Sequence, residues 1–179
     1  MKINLPSPIQ NLVDILSWQV GPEVLPKSPV LLAVSLVLFA FVQYLRNIMD
    51  YTALQSAGIG VGCAVLLSGV TILCARISGY HERLMQTLTA LAIGGAIVLF
   101  VTTFLRFFLV ITYEFQGLPE RNVMELANFL LFPLFAWNVF VFAALYRRSF
   151  RASVPWAFAI AITLLFALDF WIPAAFKFA

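Results

Sequence analysis

The chain predicts an all-α fold, a polytopic transmembrane bundle of five spans preceded by a short interfacial helix. Three observations carry this. Five apolar stretches run from Pro29 to Ile48, Ala57 to Ala75, Leu88 to Ile111, Leu126 to Tyr146 and Val154 to Pro173. Each is about long enough to cross a hydrocarbon core of roughly 30 Å. Of 179 residues, 63% are hydrophobic and 11% charged, too few charges to cover a soluble domain. The connections are short, so residues 29–179 form one span domain with no room for a second folded unit.

Taken in order, the segment 1–28 comes first. Ile9, Leu12, Val13, Leu16 and Val20 gather on one helical face opposite Gln10, Asp14 and Ser17, which predicts a surface helix over Pro8 to Val20. Gly21, Pro22 and Pro26 then break the chain. The opening MKINLPSPIQ has no apolar run, so span one is expected to act as an uncleaved signal-anchor. In span two, Gly58 and Gly62 form a small-xxx-small pair, with Gly69 near the same face. Such a stripe lets helix backbones approach where lipid removes the hydrophobic drive. Gly94 and Gly95 are expected to do the same in span three, or to loosen it. In span four, Pro133 deletes a backbone hydrogen bond and is expected to kink the helix. Cys63 and Cys74 share one helix but stand roughly 16 Å apart along it, too far for a disulfide.

Orientation follows from the basic residues. Lys2, Lys27, Arg76, Arg83, Arg147, Arg148 and Arg151 fall on one side, against Arg46, Arg121 and Lys177 on the other. Acidic residues favour the second side, at Asp50, Glu114, Glu120 and Glu125. The expectation is a bacterial inner-membrane protein with a cytoplasmic N-terminus and an external C-terminus, provided span three is one helix. A net charge of +3 with its cations at span ends speaks for membrane orientation and against nucleic acid.

Most classes of chemistry drop out along the chain. The single histidine, His81, excludes a haem held by two histidines of one chain, and no second histidine completes a zinc-protease helix. No CxxC pair or phosphate loop is present. The glycines of AGIGVG follow no strand and open a hydrophobic span, so they do not read as a dinucleotide loop. No catalytic, metal or cofactor-binding residue is assigned. What remains is a candidate intramembrane polar cluster of Asp169, Arg106, Arg46, Gln43, Glu125 and Asn128, all expected in the outer leaflet. Ionisable groups there demand a partner. The cluster reads either as a structural ion pair of Asp169 with Arg46 or Arg106, or as a substrate or proton path. Asn138 is expected to hydrogen-bond a neighbouring helix.

The loop Gly79-Tyr80-His81-Glu82-Arg83-Leu84-Met85-Gln86-Thr87-Leu88, running into Thr89-Ala90-Leu91-Ala92, resembles the entry to a span in bacterial Yip-domain proteins. Trp137 to Tyr146, followed by Arg147-Arg148-Ser149-Phe150-Arg151-Ala152-Ser153, resembles the last helical hairpin of that family. The resemblance implies five spans and a cytoplasmic N-terminus. The Asp-Leu-Tyr-Gly motif of eukaryotic relatives is absent, so binding of small GTPases is not carried over. The resulting expectation is a non-enzymatic scaffold, membrane organiser or accessory subunit. Its partners would be membrane lipid and other integral membrane proteins or a second copy, with Arg147, Arg148 and Arg151 against the cytoplasmic leaflet. The alternative is a small transporter or channel subunit built on the polar cluster.

Overall fold

The computed structural model describes residues 10, 14, 15, 17, 20–114 and 120–177, with backbone alone at residues 113, 114 and 120–124. Most of the surface helix expected over Pro8 to Val20, and the side chain of Arg121, lie outside the described residues. Five helices are long and apolar enough to cross a membrane, and no strand occurs among the described residues. They are α1 (Pro29–Asn47), α2 (Ala53–Ser78), α3 (Leu84–Glu114), α4 (Glu120–Phe150) and α5 (Val154–Phe166), the last continuing through a π-turn (Ala167–Trp171) into α6 (Ile172–Lys177).

Local chemistry sets most of the boundaries. Ser28 Oγ accepts the Leu31 N–H at 3.3 Å, and Pro29 occupies the first turn of α1, where no intrahelical donor is needed. Thr52 and Gln55 form a reciprocal capping box at the start of α2. Gly79 ends α2 with φ +75°, a left-handed turn that suits a residue without Cβ. α2, α3 and α4 extend past the apolar windows that predicted them, because helical bonding carries on through polar ends such as Gln55, Gln86 and Arg147. α3 is one continuous helix, and α4 runs through Pro133 without interruption.

In packing, α1 lies against α2 and α3, α3 against α4, and α4 against α5. The circuit closes where α6 returns onto α2. At the end carrying Arg147 the interior is filled. Phe142, Tyr146 and Leu67 are buried there, and Tyr146 Oη lies 3.1 Å from Thr71 Oγ1, tying α4 to α2. Gln86 donates to the Leu25 carbonyl at 2.6 Å, which pins the chain before α1 across the start of α3. Arg83 bonds the Arg148 carbonyl at 3.2 Å, Arg151 stacks over Tyr80, and Arg147 and Arg148 are exposed.

The glycines divide in a way the stripe did not anticipate. A Cβ on Gly58 would fall 2.6 Å from the Phe176 ring, and one on Gly62 would lie 3.4 Å from Ile172. Both therefore receive side chains of α6, not another helix backbone. The close backbone approach is at Gly60, where an added Cβ would collide with the Ala40 carbonyl oxygen of α1. Gly69 is exposed, and an added Cβ there would meet no atom of the described residues within 4 Å, so the packing role expected of it is corrected: its side of α2 turns away from the neighbouring helices. Gly95 makes room for Phe39 and Phe142, and Gly94 is buried beside it.

Candidate functional site

Towards the end carrying Arg46 the bundle opens into a cavity of about 440 Å³ between α1, α3, α4 and α5. Its floor is Phe39, Gly95 and Phe142. Two polar levels lie above that floor. Counting from the opposite end at 1.5 Å per residue, Gln43, Asn138, Asp169 and Arg46 stand about 18–25 Å up their helices. Arg106 and Asn128 stand about 33 Å up theirs, at the mouth. The wall between the levels is mainly Leu and Phe.

Helical phase explains why these side chains converge. Phe39, Gln43 and Arg46 are spaced by four and three, as are Gly95, Leu99, Thr102 and Arg106 with one further step, so each set forms a single face. Asn128, Leu131, Phe135, Asn138 and Phe142 repeat the pattern on α4. α5 needs a different device. In the π-turn the Ile172 N–H bonds back to the Ala167 carbonyl. The next donor in that register would be residue 173, a proline, whose ring also crowds the carbonyl four residues earlier. Widening the turn accommodates Pro173, and the Leu168 carbonyl instead lies 3.5 Å from Cys63 Sγ. Asp169 is carried in this widened turn.

Arg46 Nη1 donates to Asp169 Oδ1, joining α1 to α5. Arg106 is bonded elsewhere: its Nη1 donates to Asp50 Oδ2 at 3.2 Å, in the connection between α1 and α2. Thus the sequence-predicted cluster is partly assembled. Gln43, Arg46, Arg106, Asn128 and Asp169 line one cavity, whereas Glu125 is exposed and outside its lining. Asp50 was not foreseen as a member, because a loop carboxylate carries no helical phase from which a partner could be read.

Two amides are left with acceptors to satisfy. Gln43 is 3% exposed, yet its Oε1 has no hydrogen-bond partner among the described residues. Asn138 Oδ1 is likewise buried without a partner among the described residues, so a bond from Asn138 to a neighbouring helix is not made through this oxygen there. Asn47 differs: its amide donates to the Gln43 carbonyl at 2.7 Å. Between α4 and α5 the cavity is bounded by Phe132, Phe166 and Phe170, which are 63%, 44% and 54% exposed. The lining there also forms the outer face of the bundle.

Comparison with protein-family models, curated proteins and solved structures found no match. The site must therefore be read from its own chemistry. Among the described residues, two guanidinium groups, one carboxylate and three amides surround a space walled by aromatic and aliphatic side chains. Such a space suits a ligand with a polar part and an apolar part.

Proposed function

We propose that this is a non-enzymatic membrane-organising protein of the Yip type, which works by holding the head of a membrane lipid inside its bundle. The observation that supports this is the cavity itself. Polar groups are gathered within the membrane-spanning part, while its α4–α5 wall is made of phenylalanines that also face outward. A lipid head could occupy the polar levels while its tails stay in the bilayer. The basic residues motivate placing the Arg46 end on the external side of a bacterial inner membrane. Arg147, Arg148 and Arg151 would then face anionic lipid of the cytoplasmic leaflet.

Native mass spectrometry of the detergent-purified chain tests the reading. One lipid is expected to survive washing on the parent protein and to be lost from Val98→Phe, which fills the cavity from α3. Equal retention by both proteins would place the lipid on the outer surface and refute the proposal. A second reading, a transporter or channel subunit, draws on one specific observation, the Asp169 carboxylate facing the cavity from within a span. Proton or cation flux in proteoliposomes that Asp169→Asn abolishes would favour it. We expect no such flux.

A further inference from the structure

We infer that the lipid head held in the cavity is one that donates hydrogen bonds, through ammonium or hydroxyl groups, to the side-chain oxygens of Gln43 and Asn138. This rests on the reading of the cavity as a lipid-head site and adds the chemistry by which one head is told from another.

The ion pairs do not enter the selection, because each guanidinium is already engaged: Arg46 bonds Asp169, and Arg106 bonds Asp50 at 3.2 Å. The amides carry it. Gln43 on α1 and Asn138 on α4 both line the cavity, at about the same depth along their helices. Gln43 Oε1 and Asn138 Oδ1 are buried acceptors without a donor among the described residues, and Gln43 as a whole is 3% exposed. The hydroxyls of the same lining do not serve them. Thr102 and Thr103 donate to the Val98 and Leu99 carbonyls of their own helix, at 2.8 Å each. The amide of Asn47 donates to the Gln43 backbone carbonyl, not to its side chain. These donors are spent on the backbone. A buried acceptor left unpaired costs free energy, which a donor on the ligand recovers. The terminal torsion of an amide side chain is broad, so rotation about it turns each oxygen towards a head in the cavity. What the site reads is therefore an N–H or O–H on the head and not its net charge. A head whose nitrogen is fully methylated has none to give.

The test uses the full chain, stripped of lipid in a non-ionic detergent and titrated with single lipids of matched acyl chains, with bound lipid read by native mass spectrometry. Phosphatidylethanolamine and phosphatidylcholine share the phosphate and the net charge and differ in the donors on nitrogen. The first is expected to bind about tenfold more tightly. Phosphatidylglycerol, whose donors are hydroxyls, should side with phosphatidylethanolamine; its siding with phosphatidylcholine would overturn the inference. Gln43→Met should reduce the preference to about threefold, and Gln43→Met with Asn138→Leu should bring it to about one. A preference undiminished in both would show that the size of the head is read, and would overturn the inference as well. Should neither variant fold, the order of the three lipids on the parent protein decides. Free glycerol or ethanolamine displacing the lipid at equal concentration would assign the site to a soluble donor and refute both readings. Binding that Val98→Phe abolishes but that shows no preference among heads would sink this inference and leave the proposed function standing. Absence of any cavity-dependent binding would remove both.

Discussion

Asp169 placed alone at the centre of a bilayer would cost roughly 2.5–3.5 kcal/mol on insertion scales. Its pairing with Arg46 offsets part of this, and both side chains keep some exposure, 13% and 25%. The pair therefore falls between a surface bridge and a fully buried one. Asp169→Asn is expected to destabilise by about 2 kcal/mol, between the limits for those two cases. Thermal melting in detergent of the single variants and of Asp169→Asn with Arg46→Gln provides the check, since the double variant should melt above the sum of the two losses. Gly60 supplies a second test of the same kind. Gly60→Ala drives a methyl into the Ala40 carbonyl, and overpacking of a rigid neighbour typically costs about 1–3 kcal/mol. Gly69→Ala meets open space and is expected to melt no lower than the parent. Equal melting of the two alanine variants would contradict the α1–α2 contact.

The segment from α5 through the π-turn to α6 is where sequence, local geometry and site connect most directly. Pro173 removes one helical donor, the turn before it widens, and Asp169 in that turn meets Arg46. Pro173→Ala restores the donor and lets the turn tighten, which rotates Asp169 relative to α1. The expected outcome is a smaller Arg46–Asp169 coupling in a double-mutant cycle, even though helix propensity at position 173 improves. α6 is fastened separately. Gln55 Nε2 donates to the Phe176 carbonyl at 3.0 Å, and the Phe176 ring fills the space above Gly58. Gln55 also completes the capping box of α2, so one side chain supports two helix ends. Gln55→Ala should cost about 1 kcal/mol and expose residues after Trp171 to faster limited proteolysis.

Across the bundle, the two ends are built differently. At the Arg147 end Tyr146, Phe142 and Thr71 close the interior, while towards the Arg46 end α1, α3, α4 and α5 surround the cavity. Large apolar side chains such as Val30, Phe104, Phe129 and Trp156 cover the outside, as a bilayer requires of a spanning bundle. Trp156 and Trp171 are both exposed and stand near opposite ends of the last span, at levels where indole rings favour the interface. Reporter fusions after Lys27, Arg151 and Ala179 should read cytoplasmic, cytoplasmic and external. An active cytoplasmic reporter after Ala179 would overturn the orientation and place the cavity on the other side of the membrane.

The five spans were legible from composition, because crossing a membrane depends on the apolarity of about twenty consecutive residues and not on any partner. Gln43, Arg46, Arg106 and Asn128 were legible for a related reason, since a charge or amide in such a run is costly against lipid, whereas Glu125 near the start of α4 is exposed and outside the lining. The choice of partner was not. Arg46 and Arg106 are equivalent in the sequence as mates for Asp169, and the rotation of the widened turn after α5 selects Arg46. Arg106 takes Asp50 because a short loop returns that carboxylate to its level. Gly58 and Gly62 showed a recognisable spacing, yet the tight backbone crossing falls on Gly60, since the face of α2 turned to α1 is fixed by how all the helices fit together. Gln43 and Asn138 carry no mark in the sequence that their oxygens lack donors among the described residues. Hydrogen bonding between helices depends on tilt and axial offset, quantities that hydrophobic periodicity leaves undetermined and that packing of the assembled bundle sets.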